Sequence, residues 1–240
     1  QTCALPIFVK LAAIGGGGAN NRRKFMYPPD VVYSSDANGS YDAVLTGSGD
    51  REHPFEVSVV NRFYMFKDRD VGLSSARTSP IVENDLYDVT PNTVQDGANA
   101  TARSTAQSNL TASAGWMLTM STGEKVISGS VTLAGTTFFN TNQPSSVAEA
   151  TCGSNLGVAY QYAVSYQDAS ATIDTGAAGL NASDRKVKHE GGGYLPSPVP
   201  VVVSLEGRLY QAVISGTEVR MPPQAKLESR YRTYWYIKVD

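Results

Sequence analysis

Two segments constrain the fold more than any others: VTLAGTTFF (131–139) and VVVSLEGRLYQAVI (201–214) each place a glycine-containing pair between runs of β-branched and aromatic residues. Glycine accepts positive φ at little cost, so Ala134-Gly135 and Glu206-Gly207 each specify a tight β-hairpin. The flanking runs, VVV at 201–203 and TTFF at 136–139, do not alternate apolar with polar residues. That pattern suits strands covered on both faces. Similar short runs bounded by Gly, Asn, Asp and Pro recur along the chain, while helical periodicity is nearly absent. Strands are therefore expected at 30–34, 41–46, 57–66, 124–133, 136–141, 158–166, 199–205, 208–215 and 231–239. The fold class is all-β and antiparallel. Covered sheets arise when blades stack around an axis and also in a two-sheet sandwich, and periodicity leaves both open.

The 240 residues are 41% hydrophobic with a formal net charge of −2, enough for a normal core in one globular unit. A near-neutral balance supplies no broad positive field, which argues against nucleic acid or an anionic membrane as the main partner. No apolar run approaches the roughly 20 residues that cross a bilayer as a helix. The first seven residues, QTCALPI, match one translated frame of a common short-read sequencing adapter and are set aside from fold reasoning. With them goes Cys3, so no Cys3–Cys152 disulfide is inferred, and the redox compartment stays undetermined. Residues 8–240 are accordingly expected to come from a natural chain truncated upstream of Phe8.

Between Gln95 and Ser113 a polar Ala/Ser/Thr/Asn tract lacks the apolar residues that offset ordering entropy, and it reads as a long surface loop. Thr172 to Gly193, with the cluster DRKVKHE and three glycines, reads as a second insertion. GGGG at 15–18 is a flexible joint; no Lys-Ser/Thr follows it, as a phosphate loop would require.

Seven segments taken in order share one likeness: KFMYPPDVV (24–32), YDAVLTGSGDREHPF (41–55), VVNRFYMFKDRDV (59–71), NDLYDVT (84–90), GWMLTMSTGEKVISGSV (115–131), TTFFNTNQP (136–144) and CGSNLGVAYQYAVSYQDA (152–169). Together they resemble the carboxy-terminal β-propeller of the PilY/PilC-type proteins associated with type IV pili. GSGDREHP followed closely by NRFYMFKDRD is the most specific combination. The resemblance implies a secreted bacterial protein at the pilus tip or cell surface. It implies minor pilins and the tip complex as partners, a role in pilus assembly, and attachment to host or abiotic surfaces. It also implies a propeller whose other blades lie upstream, and no catalysis.

The resemblance further implies an Asp-rich calcium loop. Its nearest match is DANGSYD, where Asp36, Asn38, Ser40 and Asp42 occupy alternating positions able to offer oxygens to one ion. The departures are large: Ser40 stands at the fifth position, Gly47 at the twelfth, and Asn38-Gly39 is itself a hairpin signal. Calcium is accordingly expected mainly in the upstream part.

In GSGDREHPF, Gly47 and Gly49 are expected to end a strand in a tight turn. Pro54 fixes φ, and Arg51 is expected to fork onto a carboxylate of Asp50, Glu52 or Asp68. The competing reading makes Asp50, Glu52 and His53 metal ligands, but zinc sites call for more His or Cys than this chain has. His53 lacks a nucleophile motif such as GxSxG beside it and is a poor general base. Trp116, followed by the turn at Thr122-Gly123, is similar to the blade-docking motif of quinoprotein dehydrogenase propellers. This leaves a quinone enzyme as one alternative and a lectin-like adhesin as another. The acids of KDRDVG and NDLYD read as solvated loop residues or as a channel-mouth cation site.

Overall fold

A computed structural model of the chain describes residues 9–15, 18–71, 79–145, 156–176, 179–206 and 208–222. Cys3, Cys152 and the strand expected at 231–239 lie outside them. The first sheet contains β1 (Asp30–Asp36), β2 (Gly39–Gly47), β3 (Arg62–Asp68), β4 (Tyr87–Asp88) and β5 (Gly115–Thr119), in the order β1-β2-β3-β5-β4. Only β4 joins it in parallel. The second contains β6 (Lys125–Val126), β7 (Val131–Leu133), β8 (Thr136–Gln143), β9 (Val158–Ser165) and β10 (Lys186–His189), ordered β10-β9-β8-β6 with β7 also on β8. The third is β11 (Val199–Leu205), β12 (Arg208–Ser215) and β13 (Glu218–Arg220). The fold is thus mostly antiparallel β, and each sheet comes from its own stretch of chain.

The turn chemistry explains the local pairings. Ala134 (φ 49°) and Gly135 (φ 85°) both adopt the positive φ that a type I′ hairpin requires, and Leu133 pairs directly with Thr136. The β1–β2 turn is closed by Gly39 at φ 108°. β11 and β12 begin and end at the residues expected from the sequence.

The sheets stack in chain order. One face of the first packs on the second, where the Phe63 ring of β3 stacks on Phe139 of β8 with centroids 3.9 Å apart. Phe139 in turn stacks on Tyr162 of β9 at 4.6 Å. Trp116 leans on Phe63 and donates its Nε1–H to the Tyr166 carbonyl at 3.0 Å, tying β5 to the end of β9. Because strand side chains alternate, the next residues of β8 face the other way. Phe138 packs with Ala163 and Val213, and Asn140 Nδ2 donates to Ser215 Oγ of the third sheet. The middle sheet is therefore covered on both sides, and β8 is buried from Thr136 to Asn142.

The outward face of the first sheet carries Tyr64 and Phe66 under a segment bridged at Ala12–Ile81. On the outward face of the third, Val199, Ile214 and Val219 pair in one line across three strands and remain 55%, 37% and 58% exposed.

Three expectations are corrected. Residues 95–113 are not a loop: they hold a short helix α1 (Thr93–Asp96) and a longer one, α2 (Ala100–Ala112). Alanine carries little helix-forming cost, and Asn99 caps the start by accepting from Ala102 N at 2.8 Å. Lys67 Nζ donates to the Leu110 and Thr111 carbonyls at the far end, while Ala106 and Leu110 supply the buried face. Residues 172–193 are not wholly an insertion, since β10 completes the edge of the second sheet. The strand expected at 57–66 starts only at Arg62 because Val60 N bonds to Asn20 and Ser58 N to Glu56 Oε1.

This stack predicts a sharp asymmetry in core mutations. Phe139→Ala removes the ring shared by two sheets and should cost about 3–5 kcal/mol, whereas Asn99→Ala should cost about 1 kcal/mol. Urea unfolding monitored by tryptophan fluorescence measures both.

Candidate functional site

The GSGDREHPF loop leaves β2 and runs along the start of the second sheet. Val126 N donates to Ser48 O at 3.0 Å, and Ser48 N donates to Arg62 O at 2.9 Å. At Gly47 a Cβ would lie 2.5 Å from Val126 Cγ1; at Gly49 it would run into the Val126 carbonyl and sit 2.8 Å from its nitrogen. Neither glycine has positive φ. Both are needed for close approach of two chains, which corrects the expectation of a glycine-driven tight turn.

The charges are arranged differently from expectation as well. Lys24 Nζ lies 2.7 Å from Asp50 Oδ2 and 3.5 Å from Glu52 Oε2. His53 Nδ1 lies 2.8 Å from the same Asp50 oxygen, and Glu52 N donates to Asp50 Oδ1. Slight burial pushes the Asp50 carboxyl up, but the Lys24 ammonium, His53 and the Glu52 amide outweigh it and hold the group at about 2. Arg51 does not form the expected fork. It is exposed, donates to Tyr27 OH, and stands 5.4 Å from the Tyr194 ring centroid. Asp68 cannot join the loop, because it pairs with Asp42 while Gly47 pairs with Phe63, at the opposite end of the same ladder.

Asp50, Glu52 and His53 do bring one possible metal-ligating atom each within 4.8 Å of one another. The Lys24 ammonium already occupies the cation's place beside them. The calcium candidates are not brought together. Asp36 pairs with Gly39 on the face of Ser34 and Tyr41, whereas Ser40 and Asp42 project from the opposite face, beside Tyr33. The Asp36 carboxylate binds Arg69 at 2.6 and 2.8 Å and Lys67 at 3.1 Å, and Asn38 Nδ2 donates to Thr111 O. Asp85 accepts from Val82 N and Asp88 from Thr90, so these acids serve local turns.

One dense buried polar cluster among the described residues is not singled out by the sequence. Glu124, fully buried behind the Thr122-Gly123 turn, accepts from Thr141 Oγ1 at 2.6 Å, Tyr162 OH at 2.9 Å and Lys186 Nζ at 2.8 Å. Lys186 also lies over the Tyr160 ring at 4.2 Å. Burial pushes the Glu124 carboxyl up, yet the Lys186 charge and the three donors outweigh it and hold it below the usual range. Such a carboxylate accepts hydrogen bonds and is not poised to donate a proton at neutral pH.

Its neighbour Lys125 points the other way. Its buried ammonium donates to the carbonyls of Pro54, Glu56 and Gly123, and burial lowers its pKa. Gly123 forms the turn that leads into both residues, at φ 73°. The only sequence signal was a Glu-Lys pair entering an apolar run.

No protein-family model, curated protein or solved structure matches the chain.

Two measurements test this reading of the junction. Lys186→Met strands the buried Glu124 charge and should cost about 3–5 kcal/mol, while Glu124→Gln should cost less because the amide retains an acceptor. A folded-state pKa below the unfolded value gives stability that is present above the unfolded pKa and lost as pH falls through the folded one. Wild-type stability should thus decline as pH drops below about 4.5, with a smaller decline in Glu124→Gln. Gly49→Ala should cost about 1–3 kcal/mol by overpacking, read as a lower urea midpoint.

Proposed function

We propose that the chain is a noncatalytic structural and adhesive module, the carboxy-terminal part of a pilus-tip propeller of the PilY/PilC type. The observation that carries this reading is the serial stack: three sheets, each from one stretch of chain, pack face to face in sequence order with the middle one covered on both sides. Radially arranged blades require such packing. The outward apolar line of the third sheet, Val199, Ile214 and Val219, is then the surface for a neighbouring blade.

The residues that carry the resemblance support a scaffold role. Gly47 and Gly49 admit the second sheet, Trp116 ties β5 to β9, and Lys125 fastens the loop after Pro54. In this reading the partners are minor pilins and the tip complex, together with the surface to which the pilus attaches. Calcium is held upstream rather than by Asp36, whose carboxylate is engaged by Arg69 and Lys67.

The test is genetic. Deleting the region encoding residues 24–215 from the full-length gene in its native host should abolish or strongly reduce surface pili and attachment, with recovery on complementation. Normal piliation and attachment in the deletion strain would refute the proposal.

A further inference from the structure

One cavity lies beside the GSGDREHPF loop and takes no part in joining the sheets. It measures about 190 Å³, and its walls include Pro54, Phe55, Pro144, Leu156 and Tyr194, with Asn142 beneath. The surface it offers is chiefly apolar, although Phe55 is 63% and Leu156 56% exposed. Concave, mostly apolar walls with a few fixed polar groups are the usual form of a small-ligand site.

The cavity is preformed. Asn142 Nδ2 donates to the carbonyls of Leu156 at 3.0 Å and Gly193 at 2.8 Å, and Gly193 N donates to Leu156 O at 3.0 Å. Gly157 and Gly192, at φ 67° and 60°, bring their loops so close that an added Cβ would lie 2.6 Å and 2.7 Å from backbone oxygens. On the opposite wall, the Pro54 carbonyl is fixed by Lys125. Two features then define the ligand.

The first is size. A cavity of about 150 Å³ accommodates benzene, so about 190 Å³ suits a six-membered ring with one or two further carbons. The second is charge. Arg51 lies against Tyr194, whose hydroxyl donates back to the Arg51 carbonyl at 3.2 Å. The adjacent acids Asp50 and Glu52 are held by Lys24, so the exposed Arg51 guanidinium, which gives one Nη1–H to Tyr27 OH, keeps its other N–H groups for a ligand beside the Tyr194 wall. A planar guanidinium favours a carboxylate.

We propose that this pocket binds an aromatic carboxylate, the ring in the cavity and the acid on Arg51, as presented by a peptide whose carboxy-terminal residue is aromatic. This inference does not depend on the pilus reading.

The probe is N-acetyl-L-phenylalanine, titrated into the 240-residue chain and followed by amide NMR shifts and calorimetry. A ligand of this size should bind in the region of ~1 mM. Amide shifts should concentrate at Gly157 and Gly193, which border the cavity. The corresponding amide, N-acetyl-phenylalaninamide, should bind about three- to fivefold more weakly, the value of one exposed ion pair. Arg51→Gln, at an exposed position, should abolish that difference, and Phe55→Ala should weaken both ligands several-fold. Spectra unchanged away from the pocket would show that the variants fold. Absence of shifts up to ~10 mM, or equal binding of acid and amide by the wild-type chain, would overturn the proposal.

Discussion

Two phenylalanine rings, Phe63 and Phe139, face each other 3.9 Å apart and set the separation of the first two sheets. An aromatic pair of this kind adds about 0.5–1.5 kcal/mol beyond the area it buries. Trp116 shields one side and Tyr162 continues the stack on the other. Tyr162 is then fixed by its hydroxyl on Glu124, so the apolar stack ends in a buried carboxylate rather than in solvent. Removing either end would leave the other strained or unpaired, and for that reason the aromatic stack and the Glu124 cluster form one unit.

Cations recur in the same structural role throughout the molecule. Lys67, Lys125, Arg23 and Arg185 are buried, and each donates to at least one backbone carbonyl. Arg185 bonds to Val89 and Thr90 carbonyls and to Asn92 Oδ1, and burial lowers its pKa to about 10. Loop carbonyls have no ladder partner of their own, and a long flexible side chain can reach them from another segment. Irregular connections are thereby fastened to the sheets without further strands. The same logic fastens the polar GSGDREHPF loop, whose Pro54 carbonyl accepts from Lys125.

Much of the fold is legible in the sequence because it depends on local chemistry. β11 and β12 follow from β-branched runs around one turn, and the turn at Ala134-Gly135 follows from glycine's access to positive φ. The helix at 100–112 was not legible, since its polar, alanine-rich sequence has almost no apolar stripe and relies on Lys67 from a distant strand. Arg51 illustrates the limit for ion pairs. Its neighbours in sequence are acids, but Lys24 reaches Asp50 first and Tyr27 and Tyr194 take the guanidinium. The Glu124 cluster was less legible still, because Lys186 lies 62 positions away and Tyr162 lies 38 away. Glycines 47 and 49 read in the sequence as a tight turn, and the actual reason for them, the proximity of Val126, becomes visible only in three dimensions.

The order of the sheets along the chain also bears on how the molecule is made. Ala163, on the far side of the middle sheet, packs against Val213, about fifty residues later in the sequence. At ribosomal speeds of about 5–20 residues per second, that face waits some 3–10 s for its cover. A nascent chain emerging into the cell therefore carries a naked hydrophobic flank with Phe138 at its centre, and holding factors that bind such flanks would have their longest opportunity at this point of translation.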